Sequence, residues 1–468
     1  MFKFAINHRT SSTFVAFLLV ATSSSAYAVD LLDSWHAAQS KDPTFSAARA
    51  GAEAGKQKIA QAKSLKLPQV TASASTGMVN AYNKISDAQF SAPGLGSAGG
   101  ASFKTQTNIG ADLRWNISAE QPIYNAERSS MAQQLNKQAQ LADVKFSAEE
   151  QQLILRLSKA YFDVLLAEDI LASVKKQRSA VAQALKVAKG RFEEGDVAVI
   201  DTHEAQARDD ALVSQELEAE SNYQLAHAAL VDLTGVETVS NHNVLARPSE
   251  QASFEQFSAG ELSEWLTLAQ SNSPYLHMQQ IQQGIAHDEI DKFQSSNAPI
   301  LNLVAQVGGE ELRGMGGGSN SDLSNHALSV GVQLTIPLFT GGMRNAKYEE
   351  AIALEDQARN ETEAARIRAG QQARAAWLGV TVGKSKVKAL EQALHSSKVK
   401  LDATELGKEV GDRTTLDVLN AEQEYYGMRT ELFRVRYQML LSFLNLAATA
   451  GTLDEKHLAE VNSALSLK

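Results

Sequence analysis

The sequence predicts an α+β chain in which membrane β-strand pairs alternate with very long antiparallel coiled-coil hairpins, the whole built as duplicated halves. Three observations carry this: an internal repeat at a constant offset, four stretches of alternating polarity, and a heptad seam within a proline-free run of 68 residues. The composition agrees. Of 468 residues, 44% are hydrophobic but only 6% aromatic, and just 8 are proline, a balance that favours long helices over a large mixed core. The absence of cysteine excludes disulfides, thiolate-metal sites, thiol nucleophiles and a lipidated N-terminal cysteine. A net charge of −10 argues against nucleic acid as a partner, because a basic face is needed to release its counterions.

An export signal is expected at residues 1–28. Lys3 and Arg9 precede an apolar stretch from Thr13 to Thr22, and Ser25-Ala26-Tyr27-Ala28 ends in a small-x-small cleavage pattern. Cleavage after Ala28 would leave 440 residues (468 − 28) with a charge of −12 (−10 − 2). No later stretch reaches the ~18 apolar residues of a membrane helix, so entry into a bilayer requires a closed β-barrel.

The repeat is read from residue pairs. Tyr161 with Trp377, Gly195 with Gly411, Asp201 with Asp417, Ala205 with Ala421 and Gly235 with Gly451 are each 216 apart. Nearer the start, Trp35 echoes Trp265 and Pro43 echoes Pro274, and each proline is followed 25 residues later by another, Pro68 or Pro299. The halves are taken as 29–247 and 248–468, joined by the polar stretch around Arg247-Pro248-Ser249-Glu250. Trp35, Trp265, Tyr161 and Trp377 are expected to be packing residues.

Each half begins with a helix, over 30–65 or 260–296, stopped by Pro68 or Pro299. Strands follow at 69–85 and 109–118 in the first half, and at 300–310 and 328–336 in the second. Ile109, Ala111, Leu113, Trp115 and Ile117 alternate with polar or small residues, as do Leu328, Val330, Val332, Leu334 and Ile336. Gly/Ser-rich segments, Ser91 to Ser102 and Gly308 to Ser324, read as exposed loops between them. Trp115 and Tyr124 suit either packing or an aromatic girdle at a bilayer edge.

The long helices come next. Leu153, Leu157, Ala160, Val164, Ala167, Leu171 and Val174 form a heptad seam that resumes at Val181, Leu185, Ala188 and Phe192. From Ala126 to Glu193 there is no proline, and 68 residues make a rod of roughly 100 Å. Gly195 and Gly411 sit where the chain should reverse, and returning helices run to Gly235 and Gly451. Four amphipathic strands are too few to close a barrel alone, since the smallest need about eight. Three chains would supply twelve. A soluble sheet with one wet face is the competing reading, and the export signal weighs against it.

These features together resemble the TolC family of outer-membrane efflux and secretion channels of Gram-negative bacteria. The most specific segment is Val410-Gly411-Asp412-Arg413-Thr414-Thr415-Leu416-Asp417-Val418-Leu419-Asn420-Ala421, echoed by Gly195-Asp196-Val197-Ala198-Val199-Ile200-Asp201. The run Pro337-Leu338-Phe339-Thr340-Gly341-Gly342 is similar to the family's strand-to-helix junction. The resemblance implies a homotrimer whose 12-stranded β-barrel stands over an α-helical tunnel in outer-membrane lipid. A periplasmic adaptor would engage hairpin tips at Gly195, Asp196, Gly411 and Asp412, and an ABC-type or proton-driven pump in the inner membrane would supply energy.

By the same resemblance, Asp417 falls on the family's first constriction aspartate. Asn420 falls on the second, where an aspartate is usual, so one acidic ring would remain instead of two. Arg413 matches an arginine that ties closed tips, and Asp201 a partner aspartate. Lys408 stands where a tyrosine is expected, and Ile200 at a threonine. A plainer role competes: Thr414-x-x-Asp417 is a capping-box pattern, and Asp201 sits at the equivalent place in the first half.

No enzyme, cofactor or metal is expected. Gly94-x-Gly96-x-x-Gly99 lacks the strand-then-helix context of a dinucleotide site. His277, His287 and Asp288 lack metal-ligand spacing and read as a solvated helix face. A periplasmic coiled-coil adaptor, which would not need paired amphipathic strands in both halves, and an exported structural filament protein with no pore are the alternative functions. The cargo stays open between secreted protein and small molecules.

Overall fold

The computed structural model describes residues 30–94, 96–195, 198–236, 245–248, 254–294, 298–314 and 322–466. The export segment, Asp196 and the junction residues just after Pro248 lie outside the described residues. In chain order the first half contains α1 (Leu31–Lys41), α2 (Pro43–Ser64), β1 (Gln69–Ala92), β2 (Gly96–Tyr124), α3 (Ala126–Glu193) and α4 (Val199–Thr234). A short strand, β3 (Arg247–Pro248), leads to the second half: α5 (Leu262–Asn272), α6 (Pro274–Gln294), β4 (Ile300–Gly314), β5 (Leu323–Thr335), α7 (Met343–Glu409) and α8 (Thr415–Thr449). The chain closes with α9 (Glu455–Ser463) and β6 (Leu465–Ser466), which pairs with β3.

The first helix of each half is two helices, not the single one expected over 30–65 and 260–296. Pro43 and Pro274 cause the break. A proline pushes the preceding residue out of the helical region, and Asp42 (ψ 117°) and Ser273 (ψ 122°) are extended accordingly. Each proline then opens the next helix, where its missing N–H costs nothing. Asp42 also caps α2 and accepts from Arg156 of α3 at 2.8 Å, pinning the bend to the rod.

The strands are longer than the alternation suggested. The β1–β2 ladder continues through the Gly/Ser-rich segment to Ala92 opposite Gly96, and β4 reaches Gly314. Small residues tolerate strand geometry where partner backbone is available, so the expected loop after Ser91 shrinks to the turn at Pro93-Gly94. The sheet order is β1-β2-β4-β5, all antiparallel, and β2–β4 joins the two halves. Register gathers most apolar residues of the four strands on one face, with Val304, Leu312 and Leu323 on the other. Ile117 lies opposite Ala72 and Val307, and Val307 opposite Leu328; Ala119 lies opposite Val70 and Ala305, and Ala305 opposite Val330. Among the described residues nothing covers this face: Leu328 is 76% exposed and Val330 69%. The other face carries Arg114, paired with Glu310 at 2.9 Å, and Asn302, which donates to Glu120 at 2.7 Å.

The helices make the rods. α3 and α7, with 68 and 67 residues, are nearly twice as long as α4 and α8. The returning helices therefore cover only the tip half of each rod, and α2 and α6 cover the strand half. The heptad seam of α3 is buried from Leu153 to Leu171 and again at Val181, Leu185 and Ala188, but Phe192 is exposed. It lies in the last turn of α3, where α4 has only begun. In α7 the strand-half seam is almost all alanine (Ala351, Ala358, Ala365, Ala369, Ala373), which lets helix axes approach closely.

The main core is a belt half-way along the rods. There α1, α9, the β3–β6 pair and Phe254–Ala259 surround α3 and α8. Trp35 is 1% exposed, Phe162 stacks on Tyr437 at 5.5 Å, and Phe257 meets Phe443 edge-on at 5.1 Å. Trp35, Tyr161, Trp265 and Trp377 all join this cluster, as repeat-related packing residues should. The Tyr161 hydroxyl donates to the Ala246 carbonyl at 2.8 Å, and Asp169 accepts from Arg247 and from the Tyr437 hydroxyl. Replacing Trp35 by Ala should lower unfolding free energy by about 3–5 kcal/mol through the cavity it leaves. Urea unfolding of the full chain checks this, and a loss under 1 kcal/mol would show that the belt collapses around the void.

Candidate functional site

At the end of the rods opposite the sheet the chain makes two tight reversals. Both use a glycine at φ 83°, Gly195 after α3 and Gly411 after α7, a conformation that disfavours any side chain. At the second tip the N–H groups of Asp412 and Arg413 both donate to the Gly407 carbonyl, at 2.8 and 3.1 Å, and finish α7. The Arg413 side chain then lies over Gly407, where a Cβ would sit 2.7 Å from its Cγ. Thr414 opens α8 with a reciprocal capping box. Its hydroxyl accepts from the Asp417 N–H at 3.1 Å, while the Asp417 carboxylate accepts from the Thr414 N–H at 2.9 Å and hydroxyl at 2.8 Å. These bonds, with the charge of Arg413, hold the Asp417 carboxyl below the usual carboxylate range.

The first tip lacks this device. Ala198 stands where Thr414 stands in the second half, and it has no side chain to cap α4. Asp201 is then a first-turn acid only, stabilised by the helix dipole rather than by a capping box. That separates two residues which the repeat had made equivalent.

Two further side chains belong to the tips. Arg208 of α4 reaches across to α8, donating to the Asn420 side-chain oxygen and to Gln423 Oε1 at 2.7 Å. Glu422, on the first turns of α8, has a carboxylate oxygen, Oε2, that is buried without a hydrogen-bond partner. Burial pushes its pKa up to about 7, Glu405 on α7 adds to the rise, and Lys408 opposes it.

Sequence comparison fits this architecture. The family model described as outer membrane efflux protein matches residues 35–236 and 265–452, which together take in both repeats. The chain belongs to the outer membrane efflux protein family. It is 32% identical to outer membrane protein TolC of Vibrio cholerae, over 97% of this chain and 98% of that one. It is 28% identical to the alkaline protease secretion protein AprF of Pseudomonas aeruginosa, over 95% and 89% of the two chains. Its fold matches the crystal structure of VceC from Vibrio cholerae with a TM-score of 0.71 at 15% identity, covering 90% of this chain and 96% of that one.

Lys408, Gly411, Asp412, Arg413, Asp417 and Asn420 gather at one reversal, and Gly195 and Asp201 flank the other. Among the described residues no ion pair within the chain joins Asp201 to Arg413 or Lys408. Near the tips a polar link between the two hairpins is instead Arg208 to Asn420, which sequence reasoning missed because nothing in one dimension pairs residues 212 apart. Glu422 was missed too, since only its burial distinguishes it. Gly94 and Gly96 fall at the β1–β2 hairpin end, and Asp288 is held by Lys137 at 2.8 Å.

The Glu422 shift carries a sign. Its folded pKa lies above the unfolded value, so its contribution to stability is fully present below the ordinary glutamate range and is lost as pH rises through about 7. The amides of the α7–α8 tip should therefore exchange faster with solvent at pH 8 than at pH 5.5, after correction for intrinsic rates. Glu422→Gln should remove that difference; a pH effect that survives the substitution would place its origin elsewhere.

Proposed function

We propose that this chain is an outer-membrane channel-tunnel of a tripartite export system, a passive exit duct for proteins leaving by type I secretion and for small-molecule efflux. It works in the outer membrane of a Gram-negative cell with an adaptor and an inner-membrane pump. The observation that carries the reading is the sheet: one continuous apolar face, one largely polar face, and two edges with no partner among the described residues. In lipid those edges have to be satisfied, and copies of the same chain can do it by pairing β5 of one with β1 of the next. Three copies make a 12-stranded barrel with the apolar face outward, and a homotrimer is the proposed assembly.

The dimensions support it. From Leu301 to Gly309 the apolar band of β4 runs about 27 Å along the strand, or about 21 Å high at a tilt of ~40°, near the thickness of a barrel's lipid belt. Its edges are aromatic. Tyr124 pairs with Leu301 at one end, and Trp115 and His326 lie on either side of Gly309 at the other. This favours the girdle role for Trp115 and Tyr124. Gly309 has to be small: a Cβ there would come within 2.7 Å of the Trp115 ring nitrogen and 2.6 Å of His326.

Cargo would leave the periplasm through the rods, gated where the tips converge. In this reading Asp417 forms a single acidic ring, Asn420 a neutral one, and Arg413, Lys408 and Asp201 shape the closed state. Gly195, Asp196, Gly411 and Asp412 present the tips to the adaptor. The two repeats, 29–247 and 248–468, serve as half-protomers of one tunnel wall after the 1–28 segment is removed. AprF and TolC, a protease-secretion protein and an outer membrane protein by name, support export as the task.

Detergent extracts of outer membrane should yield a trimer that conducts ions in planar bilayers, and a soluble monomer would sink the proposal. Val330→Lys, on the apolar face, should cost about 2–4 kcal/mol per chain near mid-bilayer and impair insertion. Gln333→Lys, on the polar face, should insert as wild type, and equal insertion of both variants would contradict the assignment of faces. Asp417→Ala should shift the reversal potential away from cations; an unchanged value would leave Asp417 as a helix cap alone.

A further inference from the structure

Arg208 lies in the third turn of α4 and bridges to α8 at two points, Asn420 and Gln423. Both acceptors are neutral amides. Among the described residues no carboxylate lies within ion-pair distance of its guanidinium. The acids beside it face elsewhere: Asp209 toward Arg178, and Asp210 accepts from Gln206 at 3.0 Å. Other contact between α4 and α8 is slight; the two hairpins otherwise meet through α3 and α8 and through the small apolar cluster of Val181, Leu212 and Leu419, with Leu212 one turn along α4 from Arg208. Any movement that swings the α7–α8 hairpin from the α3–α4 hairpin has to break the Arg208 bridge.

Resting on the channel reading, we propose that Arg208 is a latch between the two hairpins and that its cation, which has no carboxylate partner among the described residues, adds positive charge at the constriction. A guanidinium on two amides binds more strongly than neutral groups do, yet more weakly than it would bind a carboxylate. The latch is therefore releasable. Because Asn420 carries no charge, the bridge leaves the charge of Arg208 uncancelled by its partner, on a residue bonded one helical turn past Asp417. Together with Arg413 and Lys408 at the same tip, that charge offsets the Asp417 ring and lowers the barrier to cargo bearing negative charge.

Single-channel recording of the full-length trimer separates the two roles. Arg208→Ala should shift the closed-to-open balance about tenfold toward open and move the reversal potential toward cations. Arg208→Lys keeps the charge but loses the two-pronged bridge, so opening should rise while the reversal potential stays. Asn420→Asp would give Arg208 a charged partner and should reduce opening below wild type. If Arg208→Ala matches wild type in both readouts, or Asn420→Asp opens the pore, the latch is refuted. A wild-type trimer that carries no current would instead overturn the channel reading beneath it.

Discussion

The constraint on which this molecule depends is that backbone N–H and C=O groups cannot stay unpaired in hydrocarbon. A sheet ordered β1-β2-β4-β5 has two open edges, and its exposed apolar face gives it no stable resting place in water either. One chain cannot resolve both problems. The duplication supplies two strand pairs, the β2–β4 pairing fuses them, and in the proposed assembly further copies fill the remaining edges. Assembly would in this sense be part of folding, since the barrel surface would exist only once the edges are filled.

The rods answer a different problem. Long helices in water are marginal unless an apolar seam is buried, and neither α3 nor α7 has one partner along its full length. Each changes partner half-way, from α2 or α6 to α4 or α8. The belt sits at that exchange. There α3 is buried on nearly every side, and the first and last helices close around it, with Asn462 bonded both to the Leu31 N–H and to the Asp30 carboxylate. Tight approach elsewhere comes from small residues: the alanine seam of α7, and Gly379 against Ser442, where a Cβ would lie 2.5 Å from the hydroxyl oxygen.

The tips show how a duplicated unit diverges. Gly195 and Gly411 keep the same φ because each reversal needs it, yet only the second tip has a capped helix, Ala198 replacing the hydroxyl that Thr414 supplies. The uncapped α4 is instead tied to α8 through Arg208. One hairpin is self-sufficient at its end, and the other leans on it.

Periodicity and punctuation in the sequence determined the element types, the repeat, the reversals at Gly195 and Gly411, and the bounds of α3 at Ala126 and Glu193. Local rules suffice for these: a heptad seam, a period of two, a glycine at positive φ, a capping box. The breaks at Pro43 and Pro274 were equally legible, since a pre-proline residue resists helical geometry, but the flanking helical pattern concealed them. Tertiary structure decided the rest. The Gly/Ser-rich segment became strand because a partner backbone lay beside it, and Phe192 left the seam because α4 had barely begun. Arg208 and Glu422 acquired their roles from neighbours on another helix. Burial and cross-hairpin contact depend on where distant elements meet, and spacing along one chain does not encode that.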